Sequence, residues 1–319
     1  MTSMGTYRHL SRCSTDTGHF MVLAIDHREI LLNQLNKYAP QPLTDAEFTS
    51  FKQQIISAAN RDISAVLVDP AYGLGAGIAT RTIRGQLGIL TPLEVTNYSL
   101  HPSQQTIDLL PDWSIEQAKQ VGSDGVKLLL PYHPDADNAE DKHDIVAQIV
   151  EHCQRLQIPF FLEPIVYSLD PTKPVSNADL REISVSMARR FCVMGVDVLK
   201  LQFPVDTKQS SDEAEWRAAC DELNAACNVP WAILSGGVDY PTFAKQVRIA
   251  CEAGASGVIV GRAVWAEAVA LQGAARTEFI TTKMMERVRE LAQICEKYAH
   301  PWMARVVAPD AAVNWYAQH

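Results

Sequence analysis

Asp197-Val198-Leu199-Lys200-Leu201-Gln202-Phe203-Pro204 reads as the body of a buried β-strand with a lysine in its middle. Strand side chains alternate, so Val198, Lys200 and Gln202 share one face while Leu199, Leu201 and Phe203 share the other. A strand apolar on both faces belongs to a sheet covered on both sides. Seven further runs of this kind recur at residues 20–25, 63–68, 89–93, 126–130, 159–163, 230–234 and 257–260. Between them, segments 45–59, 114–121, 139–157, 177–194, 212–226 and 240–253 place apolar residues at helical spacing, with Asp45, Ser114, Ser176 and Ser211 as expected N-caps. Eight strand-helix units predict a closed (β/α)8 TIM barrel. A doubly wound open sheet is the competing architecture. Gly73-Leu74-Gly75-Ala76-Gly77 lacks the spacing and the downstream acid of its dinucleotide fingerprint.

The expected organisation is one domain over residues 1–319, with a barrel core of about 19–270 and a helical extension of about 271–305 that seals or covers the barrel. Helix is expected from Glu267 to Tyr298, and the first 18 residues and the last ten carry the least sign of defined structure. A net charge of −9 argues against nucleic acid or an anionic membrane as partner. Seven scattered cysteines without a CxxC pair fit a reducing compartment, no apolar run approaches the roughly 18 residues of a membrane helix, and no charged-then-apolar leader is read at the start. A soluble cytoplasmic protein is expected.

Barrel chemistry sits at the C-terminal ends of the strands. In order, the residues closing the runs are Asp26, Asp69, Glu94, Lys127, Glu163, Lys200, Ser235 and Arg262. Asp69 and Glu94 are as well explained by a solvated strand end as by function. The lysines are not, since Lys127 and Lys200 are each followed by more apolar strand. Both lie on even-numbered strands, which feed the same layers of a barrel, and are expected to be neighbours.

An ordinary lysine, with a pKa of about 10.4, presents roughly one free amine in two thousand molecules at pH 7. Burial and a second lysine nearby favour the neutral form, and lowering the pKa by about three units corresponds to about 4 kcal/mol. Lys200 is therefore expected to form a Schiff base, with a structural lysine neutralised by Glu163 or Asp26 as the competing reading. Lys127 fits a phosphate ligand, a modulator of that amine or an ion-pair partner equally well. Glu163 is a candidate general acid or base with a raised pKa, or a counterion to either lysine. Of Asp26-His27-Arg28, one or two side chains are expected to reach substrate, because successive strand residues point apart.

Ser235-Gly236-Gly237 follows the seventh strand and Gly261-Arg262 the eighth, where barrel enzymes commonly hold a phosphate on backbone N–H groups and a helix N-terminus. Arg262 adds a charged fork. His27, His101, His133, His143 and His152 form no HxH or HxxxH pair, so no metal site and no cofactor are expected. The pocket so described suits a phosphorylated, carbonyl-bearing small molecule.

With these residues in place, the chain from about residue 19 to about 270 resembles the class I tagatose 1,6-bisphosphate aldolase family, which includes sulfofructose-phosphate aldolases. The most specific element is the strand around Lys200. The resemblance implies a metal-independent aldolase with Lys200 as the imine-forming residue, Glu163 as acid/base, and Lys127 and Asp26 as their partners. It also implies an anion site at Ser235, Gly236 and Arg262. The substrate implied is a small phosphorylated or sulfonated sugar, and barrel aldolases often associate, so a homo-oligomer is expected. A keto-sugar acid or deoxy-sugar phosphate aldolase, and a sugar-phosphate binding protein without catalysis, are the other readings. The chain departs from the family where Asp26-His27-Arg28 stands in place of the frequent Asp-Gln-Arg, a position that bears on the identity of the sugar.

Overall fold

The computed structural model describes residues 2–59, 61–96 and 100–318. Eight parallel strands close into a barrel in sequence order: β1 Phe20–Ala24, β2 Ala65–Leu67, β3 Gly88–Pro92, β4 Gly125–Tyr132, β5 Phe160–Val166, β6 Val198–Leu201, β7 Trp231–Ile233 and β8 Gly257–Val260. β8 pairs with β1 from Phe20↔Gly257 to Leu23↔Val260, so no sheet edge remains. The fold is the expected TIM barrel.

Alternation along the strands sorts the apolar residues into two cores. Val198 packs in the lumen with Phe20, Val22, Leu90, Phe161 and Ile259, whereas Leu199, Leu201 and Phe203 pack outward against the helices. Lys200 therefore points up the lumen, one layer above Val198. β4 and β5 stay paired from Val126↔Phe160 to Tyr132↔Val166, beyond their expected ends at 130 and 163. Pairing continues through Pro131 and Pro164, although proline cannot donate to a ladder. This taller wall carries Lys127 and Glu163.

Three sequence expectations are corrected. Met4–Cys13 is a helix rather than undefined chain: Ser3 caps it by accepting from Thr6 N, and Leu10 and Cys13 plug the lower end of the lumen beside Trp302. Its polar side is tied to Asp124 by His9 (3.0 Å) and Arg12 (2.9 Å). The helix Asp45–Ala59 takes its cap from Thr44, not Asp45, since Thr44 Oγ1 accepts from Glu47 N (3.3 Å) and the Glu47 carboxylate accepts from Thr44 N (2.8 Å). Asp212, not Ser211, caps Glu213–Ala226. Ser114 and Ser176 cap as expected. Helix from Gly273 to Tyr298 covers the outside of the barrel through Ile280, Met284, Val288 and Leu291. None of the described helices is long and apolar enough to cross a membrane.

Asp197, which opens the stretch first quoted, accepts a hydrogen bond from Phe160 N (2.8 Å), and burial pushes its carboxyl up to about 7 from 3.8. The folded protein thus holds a proton that the unfolded chain releases near 3.8, so this contribution to stability is full below that pH and is lost as pH rises through about 7. Asp197→Asn keeps the acceptor without the charge. It is expected to raise the thermal midpoint at pH 8, with up to about 4 kcal/mol at stake, and to flatten stability between pH 4 and pH 7. An unchanged pH profile of thermal unfolding would contradict this.

Candidate active site

A cavity of about 350 Å³ opens at the C-terminal ends of the strands. Its floor is a charged cluster that the strand register brings together. Lys127 of β4 lies 2.8 Å from Glu94 Oε1, 2.9 Å from Glu163 Oε2 and 3.2 Å from Asp26 Oδ2. Lys200 of β6 lies 2.9 Å from the same Glu163 oxygen. One carboxylate oxygen on β5 therefore bridges the amines of the two flanking strands. The second Glu94 oxygen accepts from Leu129 N (3.1 Å), and Gln202 accepts from Val166 N (2.9 Å), which ties β6 to β5 above the ladder.

The electrostatics follow from this packing. Burial alone would raise the Glu163 carboxyl, but Lys127 and Lys200 outweigh it and hold the group below the usual carboxylate range. This corrects the expected raised pKa: Glu163 rests ionised. Asp26 is likewise desolvated yet held low by Lys127, His27 and Lys200. Burial disfavours the Lys127 cation, but Glu163, Glu94 and Asp26 together raise its pKa well above the ordinary value. Lys127 is thus an ion-pair hub, and Glu163 stands between its charge and Lys200 in place of the direct lysine-lysine repulsion expected from sequence.

Asp26, His27 and Arg28 all line the cavity. The strand has ended by then: Arg28 sits at φ −111°, ψ −103°, and strict alternation no longer applies. Arg28 Nη2 donates to Glu94 O (2.6 Å). His27 packs edge-on to Trp265 with ring centres 5.4 Å apart, and burial, the largest influence, lowers its pKa to about 4, leaving a neutral imidazole. His27 Nδ1 and Arg28 Nη1 are buried without a hydrogen-bond partner among the described residues.

Gly236 and Arg262 also line the cavity, whereas Ser235, Gly237 and Gly261 do not. Positive φ at Gly236 (+55°) and Gly237 (+84°) shapes the turn after β7, a conformation side chains rarely adopt. The helical turn after Gly261 spans only Arg262–Trp265, shorter than the helix N-terminus expected there. Arg28 and Arg262 pair with no carboxylate among the described residues, so the cavity wall carries four cations, Arg28, Lys127, Lys200 and Arg262, against three carboxylates, Asp26, Glu94 and Glu163. The excess suits an anionic ligand. No group of three His, Cys, Asp or Glu among the described residues is placed to hold a metal ion.

Two strand-end acids depart from the solvated reading. Glu94 is buried at the centre of the cluster, and Asp69 is fully buried against Lys52, away from the cavity. Glu94 was within reach of the strand-end argument that found Glu163; Lys52, on a helix, carried no such signal.

A closed parallel barrel with a charged cavity over the ends of its strands defines a TIM-barrel enzyme. Residues 20–267 match the model of the DeoC/LacD family aldolases. Tagatose 1,6-diphosphate aldolase 2 of Streptococcus mutans is 31% identical over 95% of this chain and 98% of its own, and tagatose 1,6-diphosphate aldolase of Lactococcus lactis is 29% identical over 94% and 98%. Among solved structures, the fructose-bisphosphate aldolase of Plasmodium falciparum superimposes with a TM-score of 0.70 at 10% identity over 94% of this chain and 97% of its own. A Schiff-base-forming fructose-1,6-bisphosphate aldolase gives 0.61 at 18% identity over 91% and 99%, and both likenesses concern the fold. The chain belongs to the DeoC/LacD family of aldolases.

Proposed function

We propose that this aldolase is a class I enzyme that cleaves a ketose bisphosphate such as tagatose 1,6-bisphosphate, with Lys200 as the imine-forming residue. The observation that carries this reading is the single Glu163 oxygen 2.9 Å from Lys200 and 2.9 Å from Lys127. As the substrate carbonyl arrives, Glu163 takes a proton from Lys200 and the free amine adds to C2. Glu163 returns the proton to the departing oxygen, and loss of water leaves an iminium. Glu163, again a carboxylate, accepts the proton of the C4 hydroxyl while the C3–C4 pair moves into the iminium to give an enamine. The three-carbon aldehyde leaves. Protonation at C3 and hydrolysis release dihydroxyacetone phosphate and restore Lys200. Lys127 keeps Glu163 anionic between proton transfers, and Asp26 and Glu94 hold Lys127 in place.

The phosphate next to the carbonyl lies against Gly236 and Arg262 on this reading, with Ser235, Gly237 and Gly261 shaping the turns behind them, while neutral His27 and Arg28 meet the sugar. Arg262→Met is expected to raise KM for the ketose bisphosphate roughly 10- to 100-fold, the range of one charge-assisted hydrogen bond, with a smaller change in kcat. Steady-state kinetics check it; an unaltered KM would remove Arg262 from the site. On the same reading the whole chain is one barrel domain working in the cytoplasm as a homo-oligomer, consistent with its seven free, buried cysteines.

A panel of tagatose 1,6-bisphosphate, fructose 1,6-bisphosphate, sulfofructose 1-phosphate, a keto-sugar acid and a deoxy-sugar phosphate, with coupled detection of the released aldehyde, tests the proposal. Cleavage of a ketose 1,6-bisphosphate is expected. Turnover confined to another member would move the substrate class, and binding without turnover of any would indicate a non-catalytic protein.

A further inference from the structure

The last rung between β1 and β2 joins Ile25 N to Leu67 O (2.8 Å). Beyond it a side chain takes over the pairing. Lys52, reaching in from the helix Asp45–Ala59, is fully buried, and its ammonium donates to Ile25 O (3.0 Å), His27 O (2.7 Å) and the Asp69 carboxylate. An ammonium has three hydrogens, so each is used. The other Asp69 oxygen accepts from Tyr72 N (2.8 Å), which anchors the acceptor in the turn after β2. The two carbonyls are those on either side of Asp26, whose carboxylate lies 3.2 Å from Lys127.

We propose that Lys52, held by Asp69, is a positioning residue of the aldolase reaction: it fixes the backbone on both sides of Asp26, and through Asp26 the Lys127–Glu163–Lys200 chain. A dry ion pair is an expensive way to fill space, since packed apolar residues of similar volume often serve as well or better. Here the pair does what apolar residues do not, satisfying two buried carbonyls where the ladder stops. Lys52 touches no cavity surface, so its effect on chemistry runs through geometry. Displacements of about 1 Å in a reacting constellation cost on the order of 100-fold in rate.

This inference rests on the function proposed above, and its test separates the two. In the full-length protein, Lys52→Met with Asp69→Asn removes both charges together, avoids a lone buried carboxylate and keeps an oxygen for Tyr72 N. Assayed well below its thermal midpoint, the double variant is expected to lose roughly 10- to 100-fold in kcat with KM for the ketose bisphosphate within about threefold of native. A merely structural pair would lower the midpoint and leave kcat within twofold, and that result would overturn the proposal. If the double variant does not fold, Lys52→Arg, which keeps the charge but not the three-way bonding, is read by the same kcat against KM split. Failure of both to fold would assign the pair to stability alone and equally overturn it. Native protein that neither turns over nor forms a borohydride-trapped adduct would refute the function; native turnover with an unaltered kcat in the variant refutes only the positioning role.

Discussion

Lys200→Met is expected to abolish turnover, by on the order of 10⁵-fold or more, because Lys127, the other amine of the cavity, is held protonated by Glu163, Glu94 and Asp26 and cannot replace the covalent electron sink. The substitution is close to isosteric and leaves Glu163 paired with Lys127 at 2.9 Å, so no carboxylate is stranded. Thermal unfolding should shift little, and calorimetric titration should show sugar-phosphate binding retained within about tenfold, since Gly236, Arg262 and Arg28 are untouched. The combination of folded protein, retained binding and lost turnover is the informative one. A Lys200→Met enzyme keeping a hundredth of native kcat would contradict the assignment.

Glu163→Gln is expected to cost roughly 10³- to 10⁴-fold in kcat, the upper range for a positioned acid/base. The amide keeps the shape of the carboxylate but accepts no proton and leaves the Lys127 and Lys200 amines without the anion that separates them. Both imine formation and C3–C4 cleavage should slow. Single-turnover experiments distinguish these steps: with dihydroxyacetone phosphate, the adduct at Lys200 should still be trapped, more slowly, while cleavage of ketose bisphosphate is nearly lost. Native-like kcat, within tenfold, would place the base elsewhere, with Glu94 and Asp26, 2.8 and 3.2 Å from Lys127, the other carboxylates of the cavity.

The barrel was legible because parallel strands buried on both faces read as uninterrupted apolar runs, and eight of these alternate with helical spacing. Lys200 was legible for the same reason, as a charge where alternation forces the side chain inward. Proximity of Lys127 and Lys200 followed from the layering of alternate strands. What linked them followed only in part: Glu163 was read as an acid/base or as a counterion to either lysine, but that one oxygen meets both lysines at once and the group rests ionised depends on a register and a burial that sequence does not encode locally. Glu94 and Asp69 illustrate the same limit, because a carboxylate at a strand end is solvated or buried according to what packs over it.

Lys52 was invisible for a different reason. A lysine at a helical position reads as surface, and its partner Asp69 lies 17 residues away on another element. The helix Met4–Cys13 was missed because it precedes the first strand and so lies outside the strand-helix repeat, although its ten residues are amphipathic and Leu10 and Cys13 bury completely. The ends of β4 and β5 were set short because the apolar runs stop at 130 and 163, whereas pairing continues to Tyr132 and Val166.

The most direct measurement is peptide mapping by mass spectrometry after borohydride reduction of the native protein in the presence of ketose bisphosphate. A substrate-dependent, acid-stable adduct on the peptide containing Lys200, absent without substrate and absent from Lys200→Met, is the predicted result. An adduct on a peptide that lacks Lys200, or full turnover with no trapped adduct, would contradict the account.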